Sequence, residues 1–181
     1  PSSALYGSDG IGGVVQLFTR DPASYLKGGK TFGGEVGVGY EGESNARRVG
    51  ATLAGQAGPA LQWLVSGSFA RAHALENRGD NFSASPLRTA PDPERGRDQA
   101  LLGKLVWTPN AWQKHVFTGE YVDKTTKLDL LSQYGAVSRG VTTTSARGAT
   151  DNGRHRLSWQ GRFDLGASWV DTVRTTLAYQ R

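Results

Sequence analysis

Between Arg154 and Leu165 the chain reads RHRLSWQGRFDL. One parity carries Arg154, Arg156, Ser158, Gln160, Arg162 and Asp164, and the other carries His155, Leu157, Trp159, Gly161, Phe163 and Leu165. In an extended chain successive side chains point to opposite faces, so this stretch forms a strand with one polar and one apolar, aromatic face. A helix would mix the two sets on every turn. Glycine weighs against helix in general, because 25 of 181 residues are Gly and each costs about 1 kcal/mol relative to Ala inside a helix.

The same period recurs along the chain. In DQALLGKLVWTP, Leu101, Gly103, Leu105 and Trp107 oppose Leu102, Lys104 and Val106. Phe117 and Tyr121 oppose Thr118 and Glu120, and Trp63, Val65 and Phe69 oppose Ser66 and Ser68. Val49, Ala51 and Leu53 oppose Arg48, Thr52 and Gln56; Val36, Val38 and Tyr40 oppose Glu35 and Glu41; Val173, Leu177 and Tyr179 oppose Arg174, Thr176 and Gln180. The pattern predicts an all-β chain, an antiparallel meander of about seven strands. Each alternating segment is close to the roughly 9–11 residues that a tilted strand needs to cross a bilayer.

Half-buried strands also build soluble sandwiches, and the connections separate the two architectures. Tight links are expected near 57–61, 108–113 and 166–171, and a short one near 42–46. Long ones are expected near 73–97 and 125–153. Every second connection is tight, which gathers the tight turns at one rim, as in outer-membrane barrels with short periplasmic turns and long extracellular loops. Trp63, Trp107, Trp112 and Trp169 lie in or beside the tight turns, and only Trp159 falls in mid-strand. A soluble core scatters its tryptophans, whereas a membrane interface collects them at strand ends. A complete small barrel, or a sandwich used for adhesion, is the other architecture that the alternation admits.

Little in the chain points to catalysis. With no Cys there is no thiolate nucleophile, thiolate metal site or disulfide framework. His73, His115 and His155 share no metal-ligand spacing, so no metal site is expected within the chain. His155 belongs to the apolar parity, and His73, where a strand enters the first long loop, is the one histidine considered for ligand contact. GSDGIGG lacks the Lys and Ser/Thr of a phosphate loop, and no GxSxG is present. The formal net charge of +5 is spread singly along the chain among acidic residues, which gives no nucleic-acid footprint. A structural or binding role is left, not an enzyme, and no cofactor is expected.

The opening stretch, SALYGSDGIGGVVQLFTRDP, resembles the last segment of the plug domain of TonB-dependent outer-membrane receptors. Leu5, Tyr6, Gly7, Ser8, Gly12, Gly13, Val14, Val15 and Thr19 carry the likeness, with Gln16 where Asn is frequent and Gly10 where Ala is frequent. The resemblance implies a division into a plug end (1–22), a linker (23–32) and the first part of a transmembrane barrel (33–181). The full barrel would have about 22 strands, and the polar parities would face its lumen. It further implies residence in the bacterial outer membrane, contact with TonB through an upstream segment, and capture of a scarce iron-containing ligand. KLVWTPNAWQKHVFTGEYVDK is similar, more loosely, to the haem and haemoglobin receptor branch, which makes haem or a haemoprotein the expected ligand and a ferric siderophore the alternative. Seven strands of such a barrel leave open edges, so the isolated chain is not expected to insert stably.

Overall fold

The computed structural model describes residues 20–181, and the plug-like stretch lies almost wholly outside them. Seven strands form one antiparallel sheet: β1 (Phe32–Glu41), β2 (Ala46–Ala57), β3 (Leu61–His73), β4 (Glu94–Asn110), β5 (Gln113–Asp129), β8 (Arg147–Ala167) and β9 (Val170–Gln180). They follow each other in chain order, interrupted only by a two-stranded hairpin, β6 (Val137–Ser138) and β7 (Val141–Thr142), which forms a sheet of its own. The fold is therefore the expected all-β meander, with β1 and β9 at its two edges. No α-helix occurs among the described residues.

Register carries the parity argument across the whole sheet. Val36 faces Ala51, Ala51 faces Gly67, Gly67 faces Leu101, and Leu101 faces Tyr121. One row along, Leu53, Val65, Gly103, Gly119, Leu157 and Tyr179 stand in succession. A slip of one residue on any strand would carry its apolar set to the other face. Instead one surface is continuously apolar and outward: Val38 is 84% exposed, Leu157 65% and Leu177 65%. So large an exposed apolar surface is foreign to a soluble monomer and calls for an apolar solvent or partner.

The other face holds the cross-strand polar pairs. Thr52 and Ser66 share a hydroxyl hydrogen bond of 2.8 Å, Glu120 lies between Arg154 and Arg156, and Arg48 reaches Glu41. Within this face a small apolar patch formed by Ala54, Leu64 and Val106 is almost fully buried. Pro22 packs there as part of the short 3₁₀ turn Pro22–Ser24 that precedes β1.

Tight turns at 58–60, 111–112 and 168–169 occupy one rim, and the connections 42–45, 74–93 and 130–146 the other. The loop alternation is as expected, but β4, β5 and β8 run to 17, 17 and 21 residues and shorten the long loops. Near Glu94–Arg97, Thr125–Asp129 and Arg147–Gly153 both faces of the strands are polar apart from Leu128 and Ala149, so period two vanishes although the backbone ladder continues. Trp159, counted as a mid-strand residue, joins the tryptophan rim through its ring. It stacks on His115, which stacks in turn on Trp107 with centroids 5.2 Å apart. The Trp159 indole N–H donates to His115 Nδ1 at 3.3 Å, giving a polar atom on the apolar face a partner.

Candidate functional site

Two regions of the described residues carry built polar structure. The first is the pair of long connections at one rim. In the 74–93 connection, the Thr89 hydroxyl accepts the backbone N–H groups of Asp80 and Asn81 at 3.1 and 2.9 Å. The Asn81 amide donates to Leu87 O at 2.8 Å, so this loop holds its own shape through local side-chain to backbone bonds. Gly79 is required here, because a Cβ at that position would lie 2.0 Å from the Thr89 carbonyl oxygen.

Asp92 ties this loop to the next. Its carboxylate accepts the Ser132 backbone N–H at 2.9 Å and the Ser132 hydroxyl at 2.6 Å. The guanidinium of Arg88, whose side chain is only 6% exposed, lies on the same carboxylate, with Nε 3.4 Å from Oδ1. Arg88 also donates to the carbonyls of Phe82 and Pro91. Beyond this clasp the second loop ends in the β6–β7 hairpin, whose two turn residues, Arg139 and Gly140, have φ of 49° and 79°, the pair of left-handed conformations of a type I′ turn. Phe82, Leu87, Val137 and Val141 project from the two loops with at least two thirds of their surface exposed. The joined loops thus present apolar side chains on a hydrogen-bonded frame, a surface suited to contact with a partly apolar ligand.

Replacing Asp92 by Ala is expected to release the second loop while leaving the sheet intact. Three contacts are lost and the Arg88 charge is left buried without its carboxylate, a local cost of about 2–3 kcal/mol. Amide hydrogen exchange at 130–136 should quicken by roughly 30-fold or more, with exchange in β4 and β5 unchanged.

The second region is the strap of residues 20–31 laid on the polar face. Lys104, with a side chain 7% exposed, donates to Asp21 Oδ1 at 3.0 Å and to Arg20 O at 3.2 Å, and Lys114 approaches the other Asp21 oxygen at 3.8 Å. Arg20 reaches Glu35 at 3.1 Å, and the Tyr25 hydroxyl donates to the same carboxylate at 2.9 Å. The hydrogen bond with Tyr25, followed by the Glu35 charge, holds Arg20 above its ordinary pKa, so it is a fixed cation. Gly33 lets the strap approach: a Cβ there would come within 2.4 Å of the Tyr25 carbonyl oxygen. No local sequence pattern marks this close approach, although Lys104 sits between Leu102 and Val106 on the inward parity, an apolar interruption of a mostly polar face.

The three histidines go to different places, and the structure brings no two of them together. His115 is absorbed into the aromatic rim, and His155 pairs with Tyr121 on the apolar face at 5.0 Å. His73 is exposed at the end of β3, opposite Arg95 and on the outward parity.

No family model matches the chain. Over 110 residues it is 30% identical to the ferric enterobactin receptor PirA of Pseudomonas aeruginosa, an alignment covering 59% of this chain and 14% of that protein. The chain therefore spans a small part of the length of the curated relative it matches.

Proposed function

We propose that these residues are part of the wall of a TonB-dependent outer-membrane receptor that takes up a ferric siderophore. The single observation that carries the reading is the sheet itself: seven strands in register with one continuous apolar outward face and tight turns at one rim. Similarity to a ferric enterobactin receptor supports the ligand class, and it favours a siderophore over haem. In this account the clasped loops meet the ligand outside the cell. The strap held by Lys104 is the linker between an upstream plug and β1, and energy for uptake reaches the plug through TonB. The role is transport rather than catalysis.

Equilibrium binding to the full-length protein in detergent tests this, with ferric enterobactin, a ferric hydroxamate and haem as probes read by quenching of tryptophan fluorescence. Saturable binding of one ferric siderophore is expected. Binding of haem alone would return the ligand to the haem class, and binding of none would overturn the receptor reading.

A further inference from the structure

The outward face does not end at its apolar band. Aromatic side chains mark the upper limit of that band eight or nine residues from the short-turn ends of their strands: Phe69 in β3, Tyr121 in β5 and Tyr179 in β9. Beyond them the same parity turns basic on β2, β3 and β4, while on β5 it runs Asp123, Thr125 and Lys127. Arg47 stands opposite Arg71 and Arg71 opposite Arg97, so three guanidinium-bearing positions lie side by side on β2, β3 and β4. In the next outward row His73 faces Arg95 and Arg95 faces Lys127.

Like charges directly opposite each other destabilise a sheet, so a row of this kind gains from an external counter-charge. All six residues are exposed. Among the described residues, Arg97 meets Asp123 only at 3.9 Å, and no carboxylate lies within ion-pairing distance of Arg47, Arg71, Arg95 or Lys127. Arg71 instead lies over the Phe69 ring at 5.2 Å, which anchors the cation at the aromatic boundary. Six residues further down β4, about 20 Å along the strand, the apolar face is hollowed where Gly103 and Gly119 stand opposite each other. The hollow is an open trough of about 670 Å³ walled by Val65, Leu105, Phe117, Leu157 and Leu177.

We infer that this basic cluster binds the phosphates of a phosphorylated glycolipid in the membrane leaflet on the long-loop side, with an acyl chain lying in the trough. Guanidinium groups suit the ligand because they take phosphate oxygens in bidentate pairs. The position suits it because the cluster begins where the aromatic boundary ends, at headgroup depth. The inference rests on the membrane-wall reading above and adds the partner of its outward face.

Native mass spectrometry of the full-length protein tests it, with bis-phosphorylated lipid A, dephosphorylated lipid A and inorganic phosphate as probes. The bis-phosphorylated lipid should stay bound, and the combined change Arg71→Gln, Arg95→Gln, Arg97→Gln should lower its retention by about tenfold or more. The control Arg48→Gln, next in sequence to Arg47 but on the polar face, should leave retention unchanged. Equal retention of the dephosphorylated lipid, displacement by millimolar inorganic phosphate, or an unchanged triple variant would each overturn the site. Heat-modifiable migration of the same samples reads the wall itself. Folded barrels with unchanged retention remove the lipid site alone, and protein that never enters a bilayer removes both.

Discussion

Arginine in place of Val65 is expected to destabilise the folded protein in a bilayer by about 2–4 kcal/mol, while arginine in place of Ser68 on the same strand costs about 1 kcal/mol or less. Val65 is 47% exposed in the middle of the apolar face, between Leu53 and Gly103 on the neighbouring strands. A guanidinium there must sit in hydrocarbon or distort the sheet to reach a headgroup. Ser68 points to the opposite side, between Gly50 and Ala100, where small neighbours leave room for a longer side chain. On a soluble protein with the apolar face in water the order would reverse or disappear, because Val65 would be a surface position. Urea titration of the full-length protein folded into short-chain lipid vesicles reads both values.

The second large effect is expected at Lys104. Its replacement by Met keeps the volume but removes the bonds to Asp21 and to Arg20 O. Charged hydrogen bonds of this kind contribute about 1.5–3 kcal/mol, and the lower part of that range applies because Asp21 is half exposed and keeps Lys114 nearby. The strap should therefore open roughly tenfold more often. Trypsin cleavage at Lys27 and Lys30 should accelerate by that factor, with the seven-stranded sheet uncut. Gly33→Ala reaches the same end by a different route, since its Cβ would displace the Tyr25 carbonyl. Agreement of the two variants would tie the effect to docking of the strap rather than to loss of one charge.

What could be read from residues alone was whatever obeys period two. The seven strands, their parities and the alternation of tight and long connections all follow from side chains that must face either apolar or polar surroundings. Three features did not follow. Strand ends beyond the apolar band carry polar side chains on both faces, so Arg95–Arg97 and Arg147–Gly153 look like loop although they pair in register. The clasp of Asp92 on Ser132 joins groups 40 residues apart and leaves no local pattern. The basic row depends on lateral register: Arg47, Arg71 and Arg97 are unremarkable singly and become a cluster only when the strands align. A signal was available for it, since each stands a few residues beyond the apolar stretch of its strand and on the same parity.

The central claim is that one face of this sheet meets lipid and the other an aqueous lumen, and spin-label accessibility along β4 tests it most directly. Single cysteines placed in turn from Gln99 to Trp107 of the full-length protein in vesicles, each spin-labelled, give collision rates with oxygen and with a water-soluble nickel complex. The account predicts oxygen maxima at Leu101, Gly103 and Leu105 and nickel maxima at Ala100 and Leu102, out of phase with period two, with Lys104 shielded from both by the strap. Oxygen and nickel rates that rise and fall together, or that show no alternation along the strand, would contradict it.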